Sequence, residues 1–203
     1  MDKVLTIDGK EVGFRASALT PRLYRHKFGR DIVRDLNQLR KAYNKAMQAK
    51  GLEKPPEDAP EEVKKAYEDA IQDAQMSVVD LEIFENTAWI MARQYDQTVP
   101  DSPDDWLEDF AVFSIYEILP EIIKLWQLNQ ETTSKSKKKI KPTVREQTGA
   151  TFMLRCAELG LSREDLDDMT MGMVFDMLIE RGNDQEKYVE IADQDDIYRL
   201  FGR

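Results

Sequence analysis

A lysine-rich stretch, residues 134–142 (SKSKKKIKP), is the sequence feature that most constrains how this chain can fold. It has no acidic residue and no apolar periodicity, so neither an amphipathic helix nor a half-buried strand fits it. We expect a flexible basic linker, 132–142, between residues 1–131 and residues 143–203. A solvated linker whose lysines repel one another would explain this run, and so would a segment with a function of its own. Its lysines are Lys135, Lys137, Lys138, Lys139 and Lys141.

The charge of the chain changes sign along its length. Residues 1–50 hold 12 Lys/Arg against 5 Asp/Glu, whereas residues 51–131 hold 5 against 20 and residues 143–203 hold 7 against 14. The total is −10. Proteins that bind nucleic acid usually present a basic face, and the basic first fifty residues are expected to fold against the acidic middle. No nucleic-acid partner is therefore expected.

The residue types argue against catalysis. His26 and Cys156 are the sole histidine and cysteine of the sequence, and no Gly-rich phosphate-binding motif occurs. The acidic run 193–196 lacks the turn glycine and the closing glutamate of a calcium loop. We expect no enzyme activity, no cofactor and no metal. No apolar run reaches about 18 residues and no secretory signal is visible, so a cytoplasmic protein without a membrane partner is expected.

The pattern of the first hundred residues predicts a hairpin followed by helices. Short apolar runs at 4–7 and 11–15 flank Asp8-Gly9, which is a strong hairpin turn signal. Apolar spacings of three and four then predict helices, either one or two of them over 61–95. The start and stop signals are Thr20-Pro21, Gly29, Asp31 and Ser102-Pro103.

Residues 102–126 form the most apolar segment of the chain. It is apolar on more than one face, which favours a central core helix over a partner-facing one, and Pro120 predicts a kink or a break into two helices. Further helices are expected after a capping box at 143–146, after Ser162 and after Thr170. The expected fold is mainly α: an N-terminal β-hairpin plus helical bundle, the flexible basic linker, and a small C-terminal helical domain.

Large apolar side chains in these helices are the candidate partner-binding residues. Five of the nine methionines lie in the last 61 residues, and methionine-rich faces adapt to varied partners, although a small helical unit also uses methionine to fill its core. The candidates are Trp89, Trp106, Phe110, Phe113, Tyr116, Trp126, Met169, Met171 and Met173.

Several stretches carry a resemblance to a known family. Residues 84–95 (FENTAWIMARQY), 106–108 (WLE) and 114–120 (SIYEILP) resemble the tail assembly chaperones of long-tailed phages and prophages of Gram-positive bacteria. The hairpin 5–12 with 22–25 (RLYR) fits the same pattern. The second half resembles the downstream extension found in such phages, through 152–155, 159–162 and 168–174.

The resemblance implies a function. Members of this family are thought to bind the tape measure protein and keep it soluble, and the extension helps to recruit major tail tube protein. The chaperone stays in the host cytoplasm and is absent from the finished virion. Self-association is a further expectation. The extended form usually arises by ribosomal frameshifting, and lysine codons are A-rich, so 132–142 is a candidate frameshift junction. The alternative is a DNA-binding regulator with a helix-turn-helix in 143–182, which the acidic charge there disfavours.

Overall fold

The computed structural model describes residues 1–49, 55–56, 59–76, 81–137 and 144–184. They form a two-stranded antiparallel hairpin and a set of helices, so the predicted mainly α fold with an N-terminal β-hairpin is confirmed. The strands are β1 (Asp2–Ile7) and β2 (Lys10–Arg15). The helices are α1 (Thr20–Phe28), α2 (Ile32–Ala49), α3 (Glu61–Met76), α4 (Leu81–Tyr95), α5 (Pro103–Leu107), α6 (Ile115–Asn129), α7 (Gly149–Glu158), α8 (Arg163–Asp168) and α9 (Met171–Asn183).

The hairpin turns where the sequence predicts it. Asp8 and Gly9 both have positive φ, 49° and 73°, as a two-residue hairpin turn requires, and Ile7 pairs with Lys10. Gly13 of β2 lies under the ring of Tyr95, where a Cβ atom would sit 2.1 Å from the ring carbons. A residue without a side chain therefore lets the hairpin approach α4.

Most predicted helix ends are confirmed. Gly29 ends α1 with a φ of 68°, and the hydroxyl of Ser102 accepts the Asp105 N–H at 3.1 Å. Thr170 accepts the Met173 N–H at 3.1 Å at the start of α9. The start of α1 differs by one residue: Thr20 is its first residue, and its hydroxyl accepts from the Ser17 N–H and donates to Gln94.

The prediction of a central helix over 102–126 is wrong about where that helix is interrupted. The helical stretch breaks at 108–114, and Pro120 lies within the second turn of α6, so the predicted break at Pro120 is wrong and the predicted kink there stays a prediction. Phe110 and Phe113, in the connecting segment, pack on the Trp106 ring with centroids 5.4 Å and 5.2 Å away. This segment is a loop. It is nevertheless apolar, because its aromatic rings pack into the core.

Two other element boundaries are now defined. Residues 61–95 hold two helices, α3 and α4, with 77–80 outside the described residues. The predicted capping box at 143–146 is not where α7 begins: Thr143 is outside the described residues, and α7 starts at Gly149. Its capping box is formed by Thr148 and Thr151, five residues further along the chain.

The core centres on α4. This helix packs against β2, α1, α2, α5 and α6, and nine of its fifteen residues are buried. The buried cluster around it also includes residues from α7, α8 and α9. The described parts of the two predicted segments therefore share one core, while the three-segment division of the chain stays a prediction. The contributing C-terminal residues are Phe152, Cys156, Leu166, Met171 and Val174.

A buried polar seam joins the two segments. The Asn129 amide donates to the Ser17 carbonyl at 3.3 Å and accepts the Met171 N–H at 3.2 Å. Gln94 donates to the Ser17 hydroxyl at 2.6 Å and to Asp167 at 3.0 Å. These bonds satisfy polar groups that burial would otherwise leave unpaired, so they fix how α8 and α9 sit on the body.

The first residues of the predicted linker are held against α9. The Asp176 carboxylate accepts the backbone N–H groups of Thr133 and Ser134, each at 2.9 Å. Asn183 donates to the Lys135 carbonyl and accepts the Lys137 N–H. This part of the linker is therefore anchored, whereas Lys138, Lys139 and Lys141 lie outside the described residues.

Candidate partner-binding site

Helix α9 presents methionine side chains at the surface. It buries Met171 and Val174 against the body and leaves Met173 48% and Met177 38% exposed. Residues four apart lie on the same face of a helix, so Met173 and Met177 form one apolar stripe. Unbranched thioether side chains adapt to differently shaped partners, which makes this stripe a candidate contact surface.

A cleft between α7 and α9 adds a concave apolar feature beside this helix. Phe152 and Phe175 meet edge to face with ring centroids 5.5 Å apart, and Leu178 lines the same cleft. Its volume is about 200 Å³, and Arg145, Glu146 and Arg155 are among the polar residues around it. A cleft of this size accepts a bulky apolar side chain, and its charged lining fits the flanks of an amphipathic partner helix.

The predicted partner-binding residues differ in how far their side chains are exposed. Met173 is exposed, Phe110, Phe113 and Met169 are half-buried, and the side chain of Tyr116, a residue of α6, lies outside the described part of the chain. The remaining four side chains are at most 6% exposed and contribute to the core. They are Trp89, Trp106, Trp126 and Met171.

Aromatic packing explains why the tryptophans are inside. Trp106 meets Phe14 at 6.4 Å as well as the two phenylalanines of the 108–114 segment. Trp89 meets Phe28 at 5.7 Å and donates its ring N–H to the Pro100 carbonyl at 2.9 Å. These rings obtain their contacts within the chain, so they support the fold rather than offering a surface.

Sequence reasoning missed several exposed or cleft-lining residues. Met177, Leu154 and Phe175 were not among the candidates, although Leu154 is 50% exposed on α7. The signal was present for Met177, because it follows Met173 by four residues, while Met171, Val174 and Leu178 define another stripe of the same helix. For the cleft residues, no local signal distinguishes a cleft wall from a core.

Two buried titratable side chains, Cys156 and Tyr24, have raised pKa values. Burial raises the pKa of the Cys156 thiol to about 11, which makes it a weak nucleophile at neutral pH. Burial and a hydrogen bond to Asp35 raise the pKa of Tyr24. Among the described residues, no group of three or more His, Cys, Asp or Glu side chains is placed to hold a metal ion. In the same part of the chain, no helix is long and apolar enough to cross a membrane.

The charges of α8 and α9 weigh against the DNA-binding alternative. Helix α8 carries four acids beside Arg163, and α9 carries Asp176 and Glu180 beside Arg181. A recognition helix with this charge would repel phosphates rather than attract them.

Comparisons with protein-family models, with curated proteins and with solved structures find no match to this chain. The functional argument therefore depends on the residues themselves and on the surface that they form. Two candidate contact features lie in the part of the chain that follows the lysine run: the Met173–Met177 stripe and, on another side of α9, the α7–α9 cleft.

Proposed function

We propose that this chain is a phage tail assembly chaperone that binds the tape measure protein through the α7–α9 surface. By the α7–α9 surface we mean the exposed stripe of Met173 and Met177 on α9; the cleft lined by Phe152, Phe175 and Leu178 lies on another side of the same helix and is a second candidate contact. The observation that carries the proposal is the exposure of this methionine stripe on a helix whose other side is fixed in the core. The resemblance of residues 84–95, 106–108 and 114–120 supplies the identity of the client.

The client's chemistry fits this surface. A tape measure protein is long, helical and partly apolar, so it exposes amphipathic helices before it is enclosed in a tail. Such helices bind apolar grooves through side chains spaced three and four residues apart. Methionine side chains and a shallow cleft suit many successive helices of one client, because they adjust to different shapes.

The net charge supports the solubilising role. The chain carries −10 overall, and residues 51–131 hold most of the acids. A complex coated with such chains repels its own copies, which keeps an apolar client dispersed in the host cytoplasm. The resemblance also implies recruitment of major tail tube protein and absence from the finished virion, and both are part of this proposal.

Co-expression tests this proposal. The chain is produced together with the long coiled-coil product of a neighbouring gene, and the soluble fraction of that client is measured. We expect wild-type chain to raise the soluble fraction and to co-purify with the client. The double variant Met173→Gln, Met177→Gln should lose both effects while folding normally, because both side chains are exposed.

The matched control is Val63→Gln with Val112→Gln, which removes exposed apolar side chains elsewhere, 49% and 64% exposed respectively. This control should behave like wild type. A client that is equally soluble without the chain, with no complex formed, contradicts the chaperone proposal. A complex that survives the methionine changes contradicts the assigned surface.

The frameshift proposal has a separate test. The nucleotide sequence across codons 134–141 should contain a slippery A-rich heptamer, and synonymous recoding should abolish the two-product ratio. An uninterrupted frame for all 203 residues without such a heptamer would exclude frameshifting and leave the chaperone proposal intact.

A further inference from the structure

A second cleft lies on another part of the molecule, between α1, α4 and α8. Its volume is about 420 Å³, its lining is mostly polar, and four apolar side chains lie among the polar ones; we call these four its apolar floor. These are Leu19, Leu23, Trp89 and Ile90, of which Leu23 is half-buried and the rest are buried. We call this feature the basic cleft, because cations surround its floor.

The cations of the basic cleft are held in position. The Lys27 ammonium lies 4.9 Å from the centroid of the Trp89 ring and donates to the Asp101 carbonyl at 2.6 Å. The Arg93 guanidinium lies 6.0 Å from the same ring and pairs with the Asp101 carboxylate. Arg163, at the start of α8, is exposed. Cations fixed in this way lose little conformational entropy when they bind an anionic partner.

Helix α1 extends this positive surface. Its exposed side chains are Arg22, Arg25, His26 and Lys27, and its sequence contains no acid. Two acids at the basic cleft have partners: Asp167 accepts from Gln94, and Asp101 is paired with Arg93. In a chain of net charge −10, the α1 side of this cleft therefore carries the opposite sign, while α8 places Glu164 and Asp165 beside Arg163 on the other side.

The chain also displays the complementary surface. At the other end of α4, Leu81 is 53% exposed beside the exposed Glu82, and the exposed Asp104 of α5 is close enough to Glu85 of the same helix for its charge to act on that carboxyl. Burial, followed by the charges of Asp104 and Glu82, raises the pKa of the Glu85 carboxyl. Like charges thus repel one another on this acidic face, and cations from outside would relieve that repulsion.

We propose that the basic cleft binds the acidic face of a second copy of this chain. Leu81 of one copy enters the apolar floor, and Glu82 and Asp104 meet Lys27 and Arg163 of the other. A second copy fits better than nucleic acid, because phosphates offer no apolar group to the Leu19, Leu23, Trp89 and Ile90 side chains, whereas a second copy offers Leu81. This inference does not depend on the chaperone proposal, since it uses neither the client nor the α7–α9 surface.

Sedimentation velocity over a concentration series tests the contact in the full chain. Wild-type chain should show an average mass that rises above one chain with concentration and falls when salt is added, because charge pairs at a surface are screened. Lys27→Gln with Arg163→Gln removes cations of the cleft, and Glu82→Gln with Asp104→Asn removes carboxylates of the face. Each double variant should associate at least about tenfold more weakly.

A mixture of the two double variants gives the sharpest result. Each variant alone lacks one half of the contact, but an equimolar mixture brings an intact basic cleft to an intact acidic face. The mixture should therefore recover association into pairs. Control variants of matched charge at other exposed positions, Lys41→Gln with Lys124→Gln and Glu11→Gln with Glu117→Gln, should associate like wild type. Circular dichroism checks that every variant is folded.

Several results would overturn the inference. Wild-type chain that stays monomeric at low salt at every concentration would do so. Association that neither salt nor the two double variants weaken would do so as well. If the chain is monomeric but binds labelled single- or double-stranded DNA, and the cleft variant alone abolishes this binding, the basic cleft is a nucleic-acid site and not a contact between copies.

Discussion

Helices α4 and α9 are similar in length and in apolar content, yet they have opposite places in the molecule. Nine of the fifteen residues of α4 are buried, on nearly all sides of the helix. Of the thirteen residues of α9, four are buried, and the stripe of Met173 and Met177 faces solvent. The difference lies in the neighbours, since β2, α1, α2, α5 and α6 surround α4. An apolar helix becomes a binding surface only on the side that no neighbour covers.

The largest expected effect concerns the buried helix. Trp89→Ala removes a ring that is 2% exposed, its contact with Phe28 and its hydrogen bond to the Pro100 carbonyl. We expect the free energy of unfolding to fall by about 4 kcal/mol, as is typical when a large buried aromatic side chain is truncated. Chemical denaturation monitored by circular dichroism measures it.

The matched change in the other helix is Met177→Ala, which should lower the free energy of unfolding by no more than about 1 kcal/mol, because this side chain is 38% exposed and gives up far less buried area than Trp89. Equal losses in the free energy of unfolding from Trp89→Ala and Met177→Ala would contradict the comparison, since they would mean that Met177 is as deeply buried as Trp89.

Two glycines within α9 provide the next test. A Cβ atom on Gly172 would lie 1.7 Å from the carbonyl oxygen of Glu131, so Gly172→Ala should destabilise the fold by about 3 kcal/mol through overpacking against backbone. At Gly182, a Cβ atom would meet no described heavy atom within 4 Å. Gly182→Ala should therefore stabilise the helix by roughly 0.5 kcal/mol. Thermal denaturation of both variants compares them, and a neutral Gly172→Ala would contradict the close docking of α9 on the end of α6.

How much the sequence predicts depends on whether the cause is local. The Asp8-Gly9 turn and the caps at Ser102 and Thr170 were predictable, because each depends on residues within a few positions. The break at 108–114 was not, because the apolar pattern runs through it without interruption. One of the partners of the Phe113 ring, Phe84, lies 29 residues away in the sequence.

The two candidate surfaces show the same dependence on whether their residues are close together in the sequence. Met173 was predictable as part of a candidate surface, since an exposed and a buried methionine stripe alternate at helical spacing. The basic cleft was not, because its cations come from α1, α4 and α8. His26, Arg93 and Arg163 share no motif, and the fold alone brings them to one cleft.

Removing a hydrogen-bonding side chain from the polar seam that fixes α9 should reduce the free energy of unfolding by an intermediate amount. Asn129→Ala leaves the Met171 N–H and the Ser17 carbonyl without this buried partner, so we expect a loss of about 2 kcal/mol in the free energy of unfolding. Gln38→Ala, at an exposed position of α2, is the control and should be nearly neutral. A neutral Asn129→Ala would show that α9 is not held by the seam.

The smallest effect is a pH dependence at the linker. Hydrogen bonds from the Ser134 and Thr133 N–H groups lower the pKa of Asp176 from its usual 3.8. The stabilisation is therefore complete above the unfolded-state pKa and is lost as pH falls through the lower folded-state pKa. The stability difference between wild type and Asp176→Asn should be constant near neutral pH and shrink below about pH 4. A difference that does not change with pH would contradict this anchor.

Hydrogen–deuterium exchange of the chain, alone and with the proposed tape measure client, tests most directly the proposal that the uncovered side of α9 is a client-binding surface. Backbone amides in α7 and α9 should exchange more slowly in the complex, because client binding suppresses local opening of these helices. Amides of α4, already protected by burial on nearly all sides, should change little. Slower exchange confined to α1, α4 and α8, with no change in α7 and α9, would contradict the claim.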